Sequence, residues 1–362
     1  MLFILATLAF SGNRLLEGER DFTGYLHANF MSEFKRVYAT KEEQLYREAV
    51  FLENLALVKQ HNADPAKTWF ATVNEFADWT NAEFRARRTG VKKAPAQPLA
   101  LVAPLATRQL PAAVDWREHT GVLTPVKNQG GCGSCWAFSA VETFESRLAI
   151  ASGEPAPVLS EQQVVSCSPN PQHCGGSGGC DGSTQPLAFN YTMSVGLSTE
   201  ASYPYKGVTG TCEPSKLAPV AINKGYVKLP TNNYTALVTA VASGPVAISV
   251  AAGGLGWQLY GGGVYGGGLL GCGYDMDHGV QLVGYGTTGG KDYWIVRNSW
   301  GAGWGESGFI RIKRFGEGKE PCGMDKSPQD GDACAGDTKP IQYCGMCGIL
   351  SSSSYPTGLS KL

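Results

Sequence analysis

The sequence predicts an α+β protein: a helical N-terminal unit, a spacer, and a two-lobed domain whose helical lobe precedes a β-rich one. Three observations predict it. From about Asp21 to Asn62 apolar residues recur at three- and four-residue steps, the period of an amphipathic helix. Residues 91–110 lose that period and become rich in Ala and Pro, as spacers do. Beyond about Pro219 the chain turns to short β-rich runs bounded by glycines.

Composition limits the function classes. With 362 residues, 43% of them apolar and 17% charged, the chain can pack more than one domain. A net charge of -1 without a Lys/Arg stripe speaks against a nucleic-acid partner. No apolar run reaches ~20 residues, so no membrane span is expected. Residues 1–19 open on Met-Leu-Phe-Ile-Leu-Ala-Thr-Leu-Ala-Phe and read as a signal peptide or its remnant, without the usual basic start. Eleven cysteines fit an oxidising compartment, hence the secretory pathway and a lysosome, vacuole or the cell exterior. The glycosylation triplets at Asn190 and Asn233 agree with that route.

Element by element, residues 20–90 form the helical unit, in which Glu43, Arg47, Phe51, Asn54, Val58 and Asn62 share one helix face. The Arg85–Arg88 run reads as a solvated basic stretch rather than a processing site. The second domain covers 111–362, with its helical lobe mainly at 116–218 and its β lobe mainly at 219–350. A helix spans 134–151, with Ser134 as N-cap and Gly153 just past its end; others span 160–166 and 184–195. Strands are expected at Pro245–Val250, Gly279–Gly286, Tyr293–Arg297 and Phe309–Arg314. A site formed by both lobes would lie in the cleft between them.

Cys135 begins the 134–151 helix, where free N–H groups and the helix dipole favour a thiolate. His278 in Met-Asp-His-Gly and Asn298 in Arg-Asn-Ser-Trp-Gly supply a base and an orienting amide from the other lobe. Two other chemistries compete. Cys132-Gly-Ser-Cys135 is a C-x-x-C, but a redox site needs a βαβ surround, and 122–131 is broken by Pro and Gly. His173, Cys174 and Cys180 suggest zinc, yet three ligands among glycines suit a disulfide-tied loop better. No metal and no cofactor are therefore expected.

The 43–62 face resembles the E-R-F-N-I-N pattern of cathepsin L-type propeptides, with Val58 for Ile, and Thr72, Asn74, Phe76 and Asp78 resemble their G-N-F-D motif, with Thr72 for Gly. Asp115-Trp-Arg117, Gln129–Phe138, Leu159–Gln162, Tyr203-Pro-Tyr205, Met276–Gly279, Asn298–Gly301 and Ser354-Tyr-Pro356 resemble, in order, the anchors of papain-family, cathepsin L-like cysteine proteases. The resemblance covers about residues 21–362. It implies a papain-like fold with a helical left lobe and a β-barrel-like right lobe, preceded by an inhibitory prodomain. The implied product is a zymogen of a cysteine endopeptidase acting on peptide and protein substrates. Its linker, 91–110, would span the cleft and be cut near Leu110, in acid, as Glu43, Glu75 and Asp78 lose charge.

The resemblance also assigns roles. Cys135 attacks, His278 forms an imidazolium paired with the thiolate, Asn298 orients it, Gln129 with the Cys135 N–H makes the oxyanion hole, and Trp300 shields the His278–Asn298 bond. Gly182-Ser183 would line the substrate strand, with Asp277 beside the site. Thr184, Gln185, Ser249, Met276 and Ser352 would form the pocket for the second residue before the scissile bond. None of these is acidic, so a medium apolar side chain is the expected fit, in a pocket more polar than usual. Pairings Cys132–Cys180, Cys167–Cys212 and Cys272–Cys347 are implied. Cys174, Cys322, Cys334 and Cys344 remain, three of them in a 315–346 insertion expected to be an exposed loop held by an extra disulfide. Cystatin-type inhibitors and a monomeric state follow from the same resemblance. The competing class is an inactive relative that only binds.

Overall fold

A computed structural model describes residues 15–90, 110–334 and 336–362. Most of the signal-peptide segment, and the linker up to its expected cut near Leu110, lie outside the described residues.

The expected single helical stretch of the N-terminal unit is two helices, α1 (His27–Glu33) and α2 (Lys41–Asn62). No Gly or Pro marks the break, which the periodicity therefore misses. Lys35 adopts a left-handed φ of 51°, and the Arg36 side chain leaves the helix axis to bond the Glu75 carbonyl. Thr40 then restarts α2 by accepting the Glu43 N–H at 3.1 Å, a Ser/Thr cap. The Glu43 carboxylate accepts the Ala39 N–H, while Arg47 grips Glu83 with two hydrogen bonds of 2.8 and 2.9 Å. Glu83 belongs to α3 (Asn81–Arg88), whose capping box it completes with Thr80. Phe51, Asn54 and Val58 are buried, and Asn54 donates to the Ala77 and Trp79 carbonyls. That face of α2 thus fixes the chain that leads to α3.

In the larger domain, α4 (Cys135–Ser152) is buried nearly all round, packing Phe144, Val141 and Leu148 against α5 (Glu161–Cys167) and α6 (Gln185–Val195). Gly153 ends it in a left-handed conformation, φ 70°, the usual glycine C-cap. Ser134 sits at the N-cap position without capping. Its hydroxyl turns instead to the Tyr205 hydroxyl, 2.6 Å away.

The β lobe is one nine-stranded sheet, ordered Trp69–Ala71, Tyr260–Tyr265, Phe309–Lys313, Lys291–Arg297, His278–Thr288, Val246–Val250, Ser353–Thr357 and Gly225–Lys228, with Val114–Asp115 joining His278–Thr288. The path has two free ends, so the barrel-like lobe expected from the sequence is an open sheet rather than a closed barrel. Its first strand comes from the N-terminal unit and pairs antiparallel with Tyr260–Tyr265. The helical unit is thereby stitched to the sheet of the larger domain by backbone hydrogen bonds.

The three implied disulfides are present, and two more pair Cys174 with Cys334 and Cys322 with Cys344. The thiols of both the redox and the zinc alternatives are consumed in these bonds, with the exception of Cys135, which is free. The insertion is closed by an extra disulfide, Cys322–Cys344, and is exposed at 336–340 as expected, but it is not a plain loop. It forms a hairpin of Cys322–Asp325 with Ile341–Cys344, and the turn beyond it crosses to the helical lobe through Cys334.

Candidate active site

Cys135 is the first residue of α4, and α4 lies against the strand that begins at His278. One turn into the helix, the Ser139 hydroxyl donates to the Val280 carbonyl at 2.7 Å, two residues past His278. This bond fixes the helix start relative to the strand start, and Cys135 and His278 line one cavity. Asn298 follows the neighbouring strand, Lys291–Arg297, and its Oδ1 lies 2.8 Å from His278 Nε2. The Ser299 backbone N–H donates to that same oxygen at 2.8 Å. An atom receiving an N–H is an acceptor, so the Asn298 amide is oriented and Nε2 carries the imidazole proton. His278 Nδ1 is then left with a lone pair, buried and without a partner.

Trp300 stacks on His278 with ring centres 4.7 Å apart, and Trp257 and Trp304 back it. Gln129 is fully buried. Its Oε1 accepts from Ser299 Oγ at 2.6 Å, which turns Nε2 toward the cleft, where it donates to the Cys132 carbonyl and, at 3.4 Å, to that of Arg88.

Arg88 and Gly90 belong to the N-terminal unit. Arg88 is not the solvated residue the sequence suggests: it is buried over Phe76 and Trp79 and donates to Asn128 Oδ1 at 3.0 Å. Its carbonyl also accepts from Trp300 Nε1 at 3.3 Å. Gly90 donates its N–H to the Asp277 carbonyl at 3.2 Å and lies on Cys135.

Covered in this way, the two reactive groups are neutral. Burial pushes the Cys135 thiol up to about 11, with the Asp277 carboxylate adding to the rise, although the Gly279, Gly90 and Trp136 N–H groups oppose it. Burial also pushes His278 down to about 4, against the Asn298 hydrogen bond and with the Arg88 guanidinium adding to the fall. Desolvation disfavours both charged forms, so the expected thiolate–imidazolium pair is absent in this closed state. Asp277 is likewise raised by burial, to about 7, against the N–H groups of Ala252 and Gly253 and the charge of Arg85.

Of the expected pocket residues, Ser183, Gln185, Ser249, Met276 and Asp277 line the cavity with Cys135 and His278. Gly182 faces the Gly90 carbonyl, where a Cβ would come within 2.2 Å. Ser183 avoids positive φ, so a serine is accommodated there, but its hydroxyl is buried and unpartnered. Thr184 and Ser352 lie off the cavity; the Ser352 carbonyl accepts the Ser249 N–H at 2.9 Å. Two residues that sequence reasoning missed complete the wall, Gly331 and Asp332 of the insertion. Asp332 Oδ1 accepts from Ser249 Oγ at 2.9 Å. The only signal for them was the odd number of cysteines in the insertion, Cys322, Cys334 and Cys344, one of which had to find its partner outside it; the structure shows this to be Cys334, bonded to Cys174.

A buried thiol at a helix start, a His–Asn pair facing it and a prosegment seated on the thiol define a cysteine protease held as a zymogen. Residues 110–330 match the papain family cysteine protease domain, and residues 27–84 match the cathepsin propeptide inhibitor domain (I29). The chain belongs to the papain family of cysteine proteases. It is 39% identical to the senescence-specific cysteine protease SAG12 of Arabidopsis thaliana, over 91% of this chain and 89% of that protein. Among solved structures, a recombinant stem bromelain precursor aligns with TM-score 0.75 and 34% identity, covering 91% of this chain and 97% of its own. Procathepsin L 3 from the larval midgut of Tenebrio molitor aligns with TM-score 0.72 and 32% identity over the same shares. The chain is a cysteine endopeptidase in zymogen form, carrying its own propeptide inhibitor.

Proposed function

We propose that Cys135 is the nucleophile of this endopeptidase, His278 its acid–base, Asn298 the group that orients His278, and Gln129 Nε2 with the Cys135 N–H the oxyanion hole. The observation that carries the assignment is the His278 Nδ1 lone pair, buried without a partner in the cavity that holds the only free thiol among the described residues. When the prosegment leaves, water enters the cleft and the desolvation that keeps both groups neutral is lifted. The thiol proton passes to Nδ1, giving a thiolate and an imidazolium whose other N–H stays on Asn298.

The thiolate attacks the substrate carbonyl, and the negative oxygen that forms is met by the two N–H donors, each typically worth ~3–4 kcal/mol in such holes. His278 returns its proton to the departing amine, leaving a thioester on Cys135. It then takes a proton from water, the hydroxide equivalent attacks the thioester, and the carboxylic acid leaves as the thiol is restored. In the closed state the Arg88 carbonyl takes up the Gln129 amide and Gly90 covers the sulfur, which supports steric inhibition by the prosegment.

Release in acid, within a vacuole or lysosome or after secretion, completes the reading. Five disulfides support an oxidising route, and no described helix is long and apolar enough to cross a membrane. With the prosegment gone, the open cleft of a monomer would also take cystatin-type inhibitors. Alkylation by iodoacetamide tests the assignment. The mature enzyme should react readily from mildly acidic to neutral pH, and the intact zymogen only in strong alkali, as a thiol near 11 requires. Cys135→Ala should abolish labelling and His278→Ala should return the mature thiol to ordinary alkaline reactivity. Equal rates for zymogen and mature enzyme at neutral pH would refute it.

A further inference from the structure

The insertion does more than decorate the β lobe. Its hairpin packs Tyr343 and Ile341 on Met276 and Ala251, so it is anchored on the floor of the substrate pocket. From there the chain crosses to the helical lobe, where Cys334 is bonded to Cys174 and the Ala333 carbonyl accepts the Gly175 N–H at 3.0 Å. Gly331 lies on the Met276 carbonyl, so closely that a Cβ would come within 2.5 Å of it. Asp332 is thereby held over the pocket, bonded to Ser249 and paired with no cation among the described residues. The space left in the pocket is about 10 Å³.

Gly90 of the prosegment walls that space and leaves with it, so a substrate side chain entering the opened cleft meets Asp332 on Ser249, and what replaces that bond depends on the side chain. Leucine or valine offers no donor. It would press hydrocarbon on a half-buried carboxylate and leave the Ser183 hydroxyl without a partner. A guanidinium brings five donors and no acceptor, which matches one carboxylate and two hydroxyl oxygens, and an ammonium brings three. The pocket thus discriminates by what the carboxylate loses and regains on opening.

We propose that Asp332 is a specificity-determining residue, and that the enzyme selects peptides with Arg or Lys two residues before the scissile bond. The selection rests on the proteolytic role assigned above. It also replaces the apolar preference expected from the sequence positions alone, because the acid comes from an insertion 83 residues beyond Ser249.

The test uses the mature enzyme, its active fraction counted by iodoacetamide on Cys135, and fluorogenic peptides that differ only at that position: Arg, Lys, Leu and Val. The basic peptides should show the higher kcat/KM. Asp332→Asn, close to isosteric, should lower kcat/KM for the basic peptides about tenfold or more, as losing one partner of a desolvated charge pair does. The Leu and Val peptides should be unchanged or improved. Releasing the loop with Cys174→Ala/Cys334→Ala should reduce the same discrimination. Leu or Val ahead in the wild type, or an Asp332→Asn loss equal for all four peptides, would overturn the proposal. A failure of Cys135 to react at all would instead remove the proteolytic reading beneath it.

Discussion

At Gly90 a missing side chain keeps the enzyme closed. A Cβ there would come 2.4 Å from the Gly133 carbonyl oxygen and 3.2 Å from Cys135 Sγ, and the first of these is backbone that cannot swing aside. Overpacking of this kind costs roughly 1–3 kcal/mol. Gly90→Ala should therefore yield an uncut zymogen whose Cys135 is alkylated about tenfold faster at neutral pH, since ~1.4 kcal/mol is a tenfold shift in the open population. Uncut Gly90→Ala zymogen reacting at the wild-type rate would show that the contact is not what shields the thiol. The thiol, imidazole and amide that the structure brings together were legible because such chemistry demands particular side chains: one free thiol, a histidine and an asparagine can be found by type. Gly90 and Asp332 were not, because their roles come from what lies across the cleft, and neither residue type announces that.

Elements were legible where periodicity and glycine punctuation agreed, as in α4, α6 and the four glycine-bounded strands. Between α1 and α2 they failed, because the break is made by Arg36 reaching a distant carbonyl, and a contact 39 residues away leaves no trace in local spacing. The join of α4 to α5 has the same character. Lys127, in the broken segment before α4, bonds Glu145 of α4 at 2.6 Å and also Glu161 of α5; Glu145 further accepts the Leu159 N–H and the Thr124 hydroxyl, both at 2.7 Å. Although burial opposes its charge, Glu145 and Glu161 hold the Lys127 ammonium above the ordinary lysine range. Lys127→Met would leave two buried carboxylates without a cation. Removal of one partner from such a group costs about 3–5 kcal/mol. The urea midpoint of the mature domain should fall accordingly with an unchanged slope; a midpoint at the wild-type value would show that the carboxylates simply take up protons.

For the molecule as a whole, the question is what acid does to the contact between the two units. Glu83 answers only at low pH. Burial opposes its charge, but the Arg47 fork and the Thr80 N–H and hydroxyl hold its carboxyl below the ordinary 4.5, so its contribution is present above that value and lost only as pH falls through its lowered pKa. Two histidines act earlier. His61 is buried on α2 with its ring 3.9 Å from Trp69 and its Nε2 bonded to the Trp69 carbonyl, and Trp69 begins the strand that joins the catalytic sheet. Burial lowers its pKa below 6.5, with Lys67 adding to the fall and the Trp69 carbonyl, Asp64 and Glu19 opposing it. His27, packed on Phe30 and Phe51, is lowered by burial in the same way, against Glu48 and Asp78. In both cases the unfolded unit binds a proton that the folded one does not, so the folding of the unit, on which its docking depends, is at full strength above 6.5 and weakens as pH falls from there toward the lowered values. His61→Gln keeps a donor for the Trp69 carbonyl and cannot take up a proton. Zymogen carrying it should need a lower pH than wild type for half-maximal conversion to the mature enzyme on an acid titration followed by gel, and adding His27→Gln should lower that pH further. A double variant that converts at the wild-type pH would place the trigger elsewhere, with the carboxylates as the remaining candidates.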